Sequence, residues 1–146
     1  MSKVTIEEIL EREGRYLAPT VGDSMEPLLH NRRNTVVIEK VVGTLKKYDV
    51  PLYKRPISNK YVLHRIVKVN EKKKEYIIVG DNRWRKEKVP FSWVIGVLVG
   101  YFEKDQYISC TSEEYINYSK KIVRNYPFRA IKLIFKGAIR KIKRWR

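Results

Sequence analysis

The sequence predicts a mainly β fold: small coiled antiparallel sheets or a barrel, with a short N-terminal helix and basic amphipathic helices at the C-terminus. Three observations predict it. Five short apolar, β-branched or aromatic runs succeed one another between residues 35 and 102 with no helical period between them. Apolar steps of three and four residues are confined to the two ends of the chain. The chain has 146 residues, 43% of them hydrophobic, enough for one cored domain without disulfides, and its single Cys110 cannot form an internal bridge.

Each element has a local cause. In Thr5–Glu13, Ile6, Ile9 and Leu10 share a face, Thr5 is an N-cap with Glu8 three residues on, and Gly14 stops the helix. Tyr16 to Val21 is extended. Gly22 and Pro27 then bracket a tight turn carrying Ser24, and His30–Arg33 is a basic turn whose histidine reads as a solvated loop residue. Thr35–Glu39 is the first strand of the run. Val50–Arg55 is the second, and its Pro51 suits a sheet edge. Val62–Val69 reads as one continuous third strand, with Leu63, Arg65, Val67 and Val69 alternating against His64, Ile66 and Lys68. Glu71–Lys74 is a hairpin tip, and Glu75–Val79 returns into Gly80-Asp81-Asn82. Trp93–Phe102 is a long strand whose Gly96 and Gly100 signal bends or bulges.

The C-terminus changes character. Ser112 starts a helix running to about Asn125, and Pro127 opens another. Ile131, Ile134, Phe135, Ala138, Ile139, Ile142 and Trp145 then recur at three- and four-residue steps against Lys and Arg. Residues 1–110 are therefore expected to form the β-rich domain and 111–146 a basic helical extension. From Lys120 onward there are eleven Lys or Arg and no acid. These supply eleven of the sixteen net positive charges and leave +5 on the first 119 residues. Three readings suit such a tail: a solvated charged helix packed on its own domain, an interfacial helix on an anionic membrane surface contacted through 127–146, and, less favoured, a nucleic-acid-binding segment. Trp84 among Arg83, Arg85 and Lys86 is either an anchored ring or a base-stacking platform.

Function classes can be excluded on the same grounds. With only His30, His64 and Cys110 as soft ligands, no metal or other cofactor is expected. No run approaches the roughly 18 apolar residues of a membrane span, and no signal-peptide core follows Met1. A lone cysteine suits a reducing compartment. The expectation is a cytoplasmic protein, peripheral at the inner membrane face if the tail binds lipid.

The chemistry-bearing residues are few. A serine needs a base within hydrogen-bond reach to act as a nucleophile. His64, ending an apolar β-prone run, has the side chain best suited to accept a proton near neutral pH. Four blocks, Gly22-x-Ser24-Met25-x-Pro27, Asp49-Val50, His64-Arg65-Ile66 and Gly80-Asp81-Asn82, stand in the order of the signal peptidases and LexA-like self-cleaving repressors. The chain resembles that serine peptidase family over roughly Ile9 to Phe102, in its histidine-base subtype.

The resemblance implies peptide-bond hydrolysis with Ser24 as nucleophile and His64 as base. Asp81 and Glu87 are equal candidates to orient the imidazole. The Ser24 N–H is expected in the oxyanion hole, beside Gly22, where many signal peptidases carry a hydroxyl donor that this chain lacks. Met25 and Leu28 are expected to flank a groove for a peptide bound as an added strand, or else to plug the core. The departures are the absent N-terminal membrane segment, the altered stretch Arg83–Lys86 and the missing hydroxyl. They motivate an alternative: a catalytically inactive binding module of the same fold, docking an anionic membrane, a partner protein or nucleic acid through its basic tail.

Overall fold

The computed structural model describes residues 3–144. In chain order the elements are α1 (Ile6–Glu13), β1 (Arg15–Pro19), β2 (Asn34–Glu39), β3 (Pro51–Lys54), β4 (Tyr61–Leu63), β5 (Arg65–Asn70), β6 (Glu75–Val79), β7 (Glu87–Pro90), a 3₁₀ turn (Phe91–Trp93), β8 (Val94–Glu103), β9 (Gln106–Ser109), α2 (Glu113–Arg124) and α3 (Tyr126–Arg144). The fold is mainly β, a curled antiparallel half-barrel with helices at both ends, as predicted. The larger sheet runs β1-β2-β8-β3-β4, with β9 added to β8; the smaller is β5-β6-β7.

The predicted caps form. The Thr5 hydroxyl accepts from the Glu8 N–H, Gly14 ends α1 in the left-handed region at φ 75°, and Ser112 caps α2 through the Tyr115 N–H. β8 is the central strand. Its register slips opposite Val37/Ile38 and opposite Leu52/Tyr53, so its two bulges lie beside Gly100 and Gly96, as the glycines signal.

Three expectations are corrected. The third strand is not continuous: β4 pairs with β3 in the larger sheet, β5 pairs with β6 in the smaller, and His64 is the residue between them. Its alternation fails at the same place, because Arg65 and Ile66 are both fully buried. Hydrogen bonds to the 48–49 turn draw the chain away there, from Tyr48 N–H to the Ile66 carbonyl (2.9 Å) and from Ile66 N–H to the Asp49 carbonyl (2.8 Å). β3 is an interior strand, hydrogen-bonded to β4 and β8, and tolerates Pro51 because it is the strand's first residue. β7 and β9 were not anticipated, and Glu87 opens the first of them.

Two apolar clusters make the core. The larger joins Leu10, Leu28, Leu29, Val36, Ile38, Val50, Leu52, Leu98 and Tyr101; the smaller is built on Tyr53, Ile66, Tyr76, Ile78 and Val89. Tyr115 of α2 belongs to the larger cluster, and Ser119 is buried beside it. The expected 111–146 extension therefore divides: α2 is packed into the domain, while α3 is exposed along most of its length. Trp145 lies outside the described residues.

Candidate active site

The serine turn is held from both ends. The Thr20 hydroxyl donates to the His30 carbonyl (2.6 Å), the His30 N–H donates to Asn34 Oδ1 (2.7 Å), and the Gly22 N–H donates to Asn31 Oδ1 (2.9 Å). Gly22 sits at φ 90°, a conformation that a side chain disfavours. Met25 and Leu29 bury beneath the turn and keep Ser24 half-exposed above them.

The Gly80-Asp81-Asn82 segment is bonded to this turn. The Asn82 N–H donates to the Ser24 carbonyl (2.9 Å), Asn82 Nδ2 donates to the Asp23 carbonyl (3.2 Å), and the Asp81 N–H meets Met25 Sδ (3.4 Å). Arg83 closes the outer side with an ion pair to Asp23 at 2.6 Å. Gly80 sits at the point of closest approach. A Cβ there would lie 2.7 Å from the Ser24 carbonyl oxygen and 3.2 Å from His64 Cδ2. The Ser24 turn and the His64 imidazole thus converge on one backbone position that only glycine vacates.

Ser24 and His64 also line one cavity of about 640 Å³, together with Gly22, Met25, Arg55 and Arg83. Its side walls come from β1 (Tyr16, Ala18, Pro19) and from β4 (Tyr61, Val62, Leu63). Among the described residues these strands are the two ends of the larger sheet, so each has an unpaired backbone edge. Leu28 packs in the core; Leu29 lines the cavity in its place.

Burial, with the Arg55 cation next, drives the His64 pKa down from its ordinary value to about 4. Glu87, Arg83 and Asp81 act on it less, the two carboxylates opposing the fall. The imidazole is neutral at physiological pH and holds a lone pair for a proton. Its ring stands edge-on to Tyr53, with centroids 6.5 Å apart.

Both carboxylates considered as orienting groups are engaged elsewhere. Asp81 forms a two-pronged pair with Arg65 (2.8 Å on each oxygen) and accepts from the Tyr118 hydroxyl (2.9 Å). Glu87 accepts from Arg55 Nε (2.8 Å), from the terminal Arg55 nitrogen (2.8 Å) and from the Tyr53 hydroxyl (2.6 Å). The Arg55 hydrogen bonds hold its carboxyl below the usual range. Among the described residues, neither acid hydrogen-bonds the His64 ring, and the Ser24 N–H has no hydrogen-bond partner. The Gly22 N–H, engaged by Asn31, is not free for an oxyanion.

No protein-family model matches the chain, and no curated protein matches it.

Sequence reasoning missed several residues of the site. Arg55 and Tyr53 read as ordinary strand residues, and nothing in their spacing announces the link to Glu87. Arg65 was visible only as His64's neighbour. Its side chain also donates to the Tyr48 carbonyl (2.9 Å), Ser119 Oγ (2.7 Å) and the Tyr115 hydroxyl (3.2 Å), which fastens α2 behind the site. Cys110 does not line this cavity, and burial pushes its thiol up to about 11, so it is a poor nucleophile. The described residues contain no cluster of three or more potential metal ligands.

Proposed function

We propose that the protein is a serine endopeptidase acting through an acyl-enzyme. Ser24 Oγ attacks the scissile carbonyl while an imidazole nitrogen of His64 takes the hydroxyl proton. The Ser24 N–H meets the oxyanion as the Oγ–C bond forms. The C–N bond then breaks, and the imidazolium returns its proton to the leaving amine. A water, deprotonated by the same imidazole, attacks the ester and releases the acid and free Ser24. The substrate is an extended peptide pairing with the free edges of β1 and β4.

The observation that carries this reading is that Ser24 and His64 line one cleft, with the Ser24 carbonyl and the His64 ring both close to Gly80. The neutral imidazole and the unengaged Ser24 N–H support it. With a single backbone donor and no hydroxyl at Gly22, the site works without a contribution commonly worth about 10²–10³ in turnover.

A second reading, a peptide-binding module of the same fold without catalysis, is favoured by one observation: Asp81 and Glu87 bond to arginines rather than to His64. A fluorophosphonate probe separates the two. A hydrolase is labelled at Ser24, mapped by peptide mass spectrometry, and loses the label in Ser24→Ala and His64→Ala. Unlabelled Ser24 in folded protein that still binds extended peptides leaves the module.

A further inference from the structure

α3 is built the wrong way round for a helix that serves only its own domain. A surface helix of a globular protein turns its apolar stripe inward. Here the half-buried positions that face the domain are Tyr126, Arg129, Ala130 and Leu133. The stripe Phe128, Ile131, Phe135, Ile139 and Ile142 lies on the far side, and its members are between 49% and 76% exposed. Helical geometry makes the two sets opposite: at 100° per residue they centre about half a turn apart. Over its 19 residues α3 carries seven Lys or Arg and no acid. Lys132, Lys136, Arg140 and Lys143 run along one flank of the stripe.

We infer that α3 docks in the headgroup region of an anionic lipid bilayer, with its axis in the membrane plane and the Phe/Ile stripe inserted. Charge decides among the occupants. A second copy of α3 would bring seven more positive charges against the first seven, with no acid in either helix to pair them. A polyanion such as nucleic acid would satisfy the lysines and leave five large apolar side chains in water. A bilayer bearing anionic headgroups satisfies both, the stripe in the acyl boundary and the flanking cations among the phosphates. At about 28 Å the helix has the length for an in-plane anchor, and no described helix is long and apolar enough to cross a membrane.

The docking would be felt at the cleft. Arg129 Nε donates to the Arg83 carbonyl (3.0 Å), and the Tyr126 hydroxyl donates to the Trp84 carbonyl. Arg83 itself is paired to Asp23, beside Ser24. The inserted helix therefore fixes the cleft at the membrane surface, whether the cleft cuts peptides or only binds them.

The test is flotation of the full chain with vesicles of phosphatidylcholine alone or mixed with phosphatidylglycerol. Binding should be at least about tenfold tighter to the mixed vesicles and should weaken as salt rises, since each basic residue near such a surface adds roughly fivefold in affinity. Phe135→Ser with Ile139→Ser should cost about tenfold or more. Lys132→Gln, Lys136→Gln and Arg140→Gln together should erase the preference for anionic lipid. All five side chains are exposed, so circular dichroism and thermal melting should match the parent. The inference fails if no vesicle retains the protein, or if the Phe135/Ile139 variant binds as the parent does. It fails equally if those substitutions instead abolish a self-association seen by sedimentation, or if duplex DNA binds more tightly than the mixed vesicles and is indifferent to them.

Discussion

Replacing Asp81 with Asn tests whether this acid holds the fold or serves the imidazole. Its side chain is 2% exposed and that of Arg65 is 0% exposed. The pair is bonded at 2.8 Å on both oxygens, with the Tyr118 hydroxyl as a third donor. Asn has the same shape and no charge, so Asp81→Asn leaves a fully buried guanidinium without a counter-ion. Breaking one side of a buried pair costs about 3–5 kcal/mol. A chain of this size has roughly 7–20 kcal/mol of total stability, so the loss is a large share. At about 2–4 °C per kcal/mol, the melting temperature should fall by roughly 6–20 °C. The damage should spread to α2, because Arg65 also carries Tyr115 and Ser119. Scanning calorimetry measures the fall. Fluorophosphonate labelling, run well below the variant's transition, should stay within a few-fold of the parent. A variant that melts within about 2 °C of the parent while its labelling drops a hundredfold would refute this argument and make Asp81 the orienting acid.

Two further outcomes follow from the same geometry. In Gly80→Ala the new Cβ would meet the Ser24 carbonyl oxygen at 2.7 Å, and that atom is main chain held by the Asn82 N–H. Overpacking of this kind costs about 1–3 kcal/mol, and Ser24 labelling should fall with it; a urea midpoint and labelling rate equal to the parent's would sink the claim of close approach. His64, with a folded pKa near 4 against 6.5 unfolded, stays neutral in the native state while the unfolded chain binds a proton. Folding stability should therefore fall as pH drops from about 6.5 towards 4, by up to roughly 3 kcal/mol, and be unaffected by this group above pH 7. Labelling should show no acid limb until about pH 4–5. An NMR titration of His64 with a midpoint near 6.5 would contradict the burial argument.

The fold class, the caps and most strands were legible because local chemistry dictates them. Thr5 and Ser112 are capping residues wherever they stand before an apolar period, and Gly96 and Gly100 mark a strand that must bulge. The break at His64 was not legible. Tyr61 to Val69 alternates and is β-prone throughout, so nothing within it says that its first half pairs with β3 and its second with β6. That decision rests on the 48–49 turn, about sixteen residues upstream, which captures Ile66 by two backbone bonds. The convergence of Ser24 with Gly80 was readable only as ordered blocks; the bonds that make it, from Asn82 and Arg83, join residues almost sixty apart. Glu87 was legible as an acid near the right place but not as Arg55's partner, because an ion pair between β7 and the end of β3 depends on register, which a sequence does not print.

A hydrophobic period has a similar gap: it fixes that a helix has an apolar face and leaves open which way that face looks. In α2 the face turns inward, because Tyr115 and Ser119 meet a buried arginine that needs partners. In α3 the inward positions are taken by Tyr126 and Arg129, which bind the carbonyls of residues 83 and 84. Once those two contacts set the helix's rotation, the Phe/Ile stripe must point outward; burying it against the domain would break both. The segment that holds Asp23 beside Ser24 is therefore also the segment that turns the apolar stripe to the outside, so the geometry of the cleft and the exposure of the helix have a single cause.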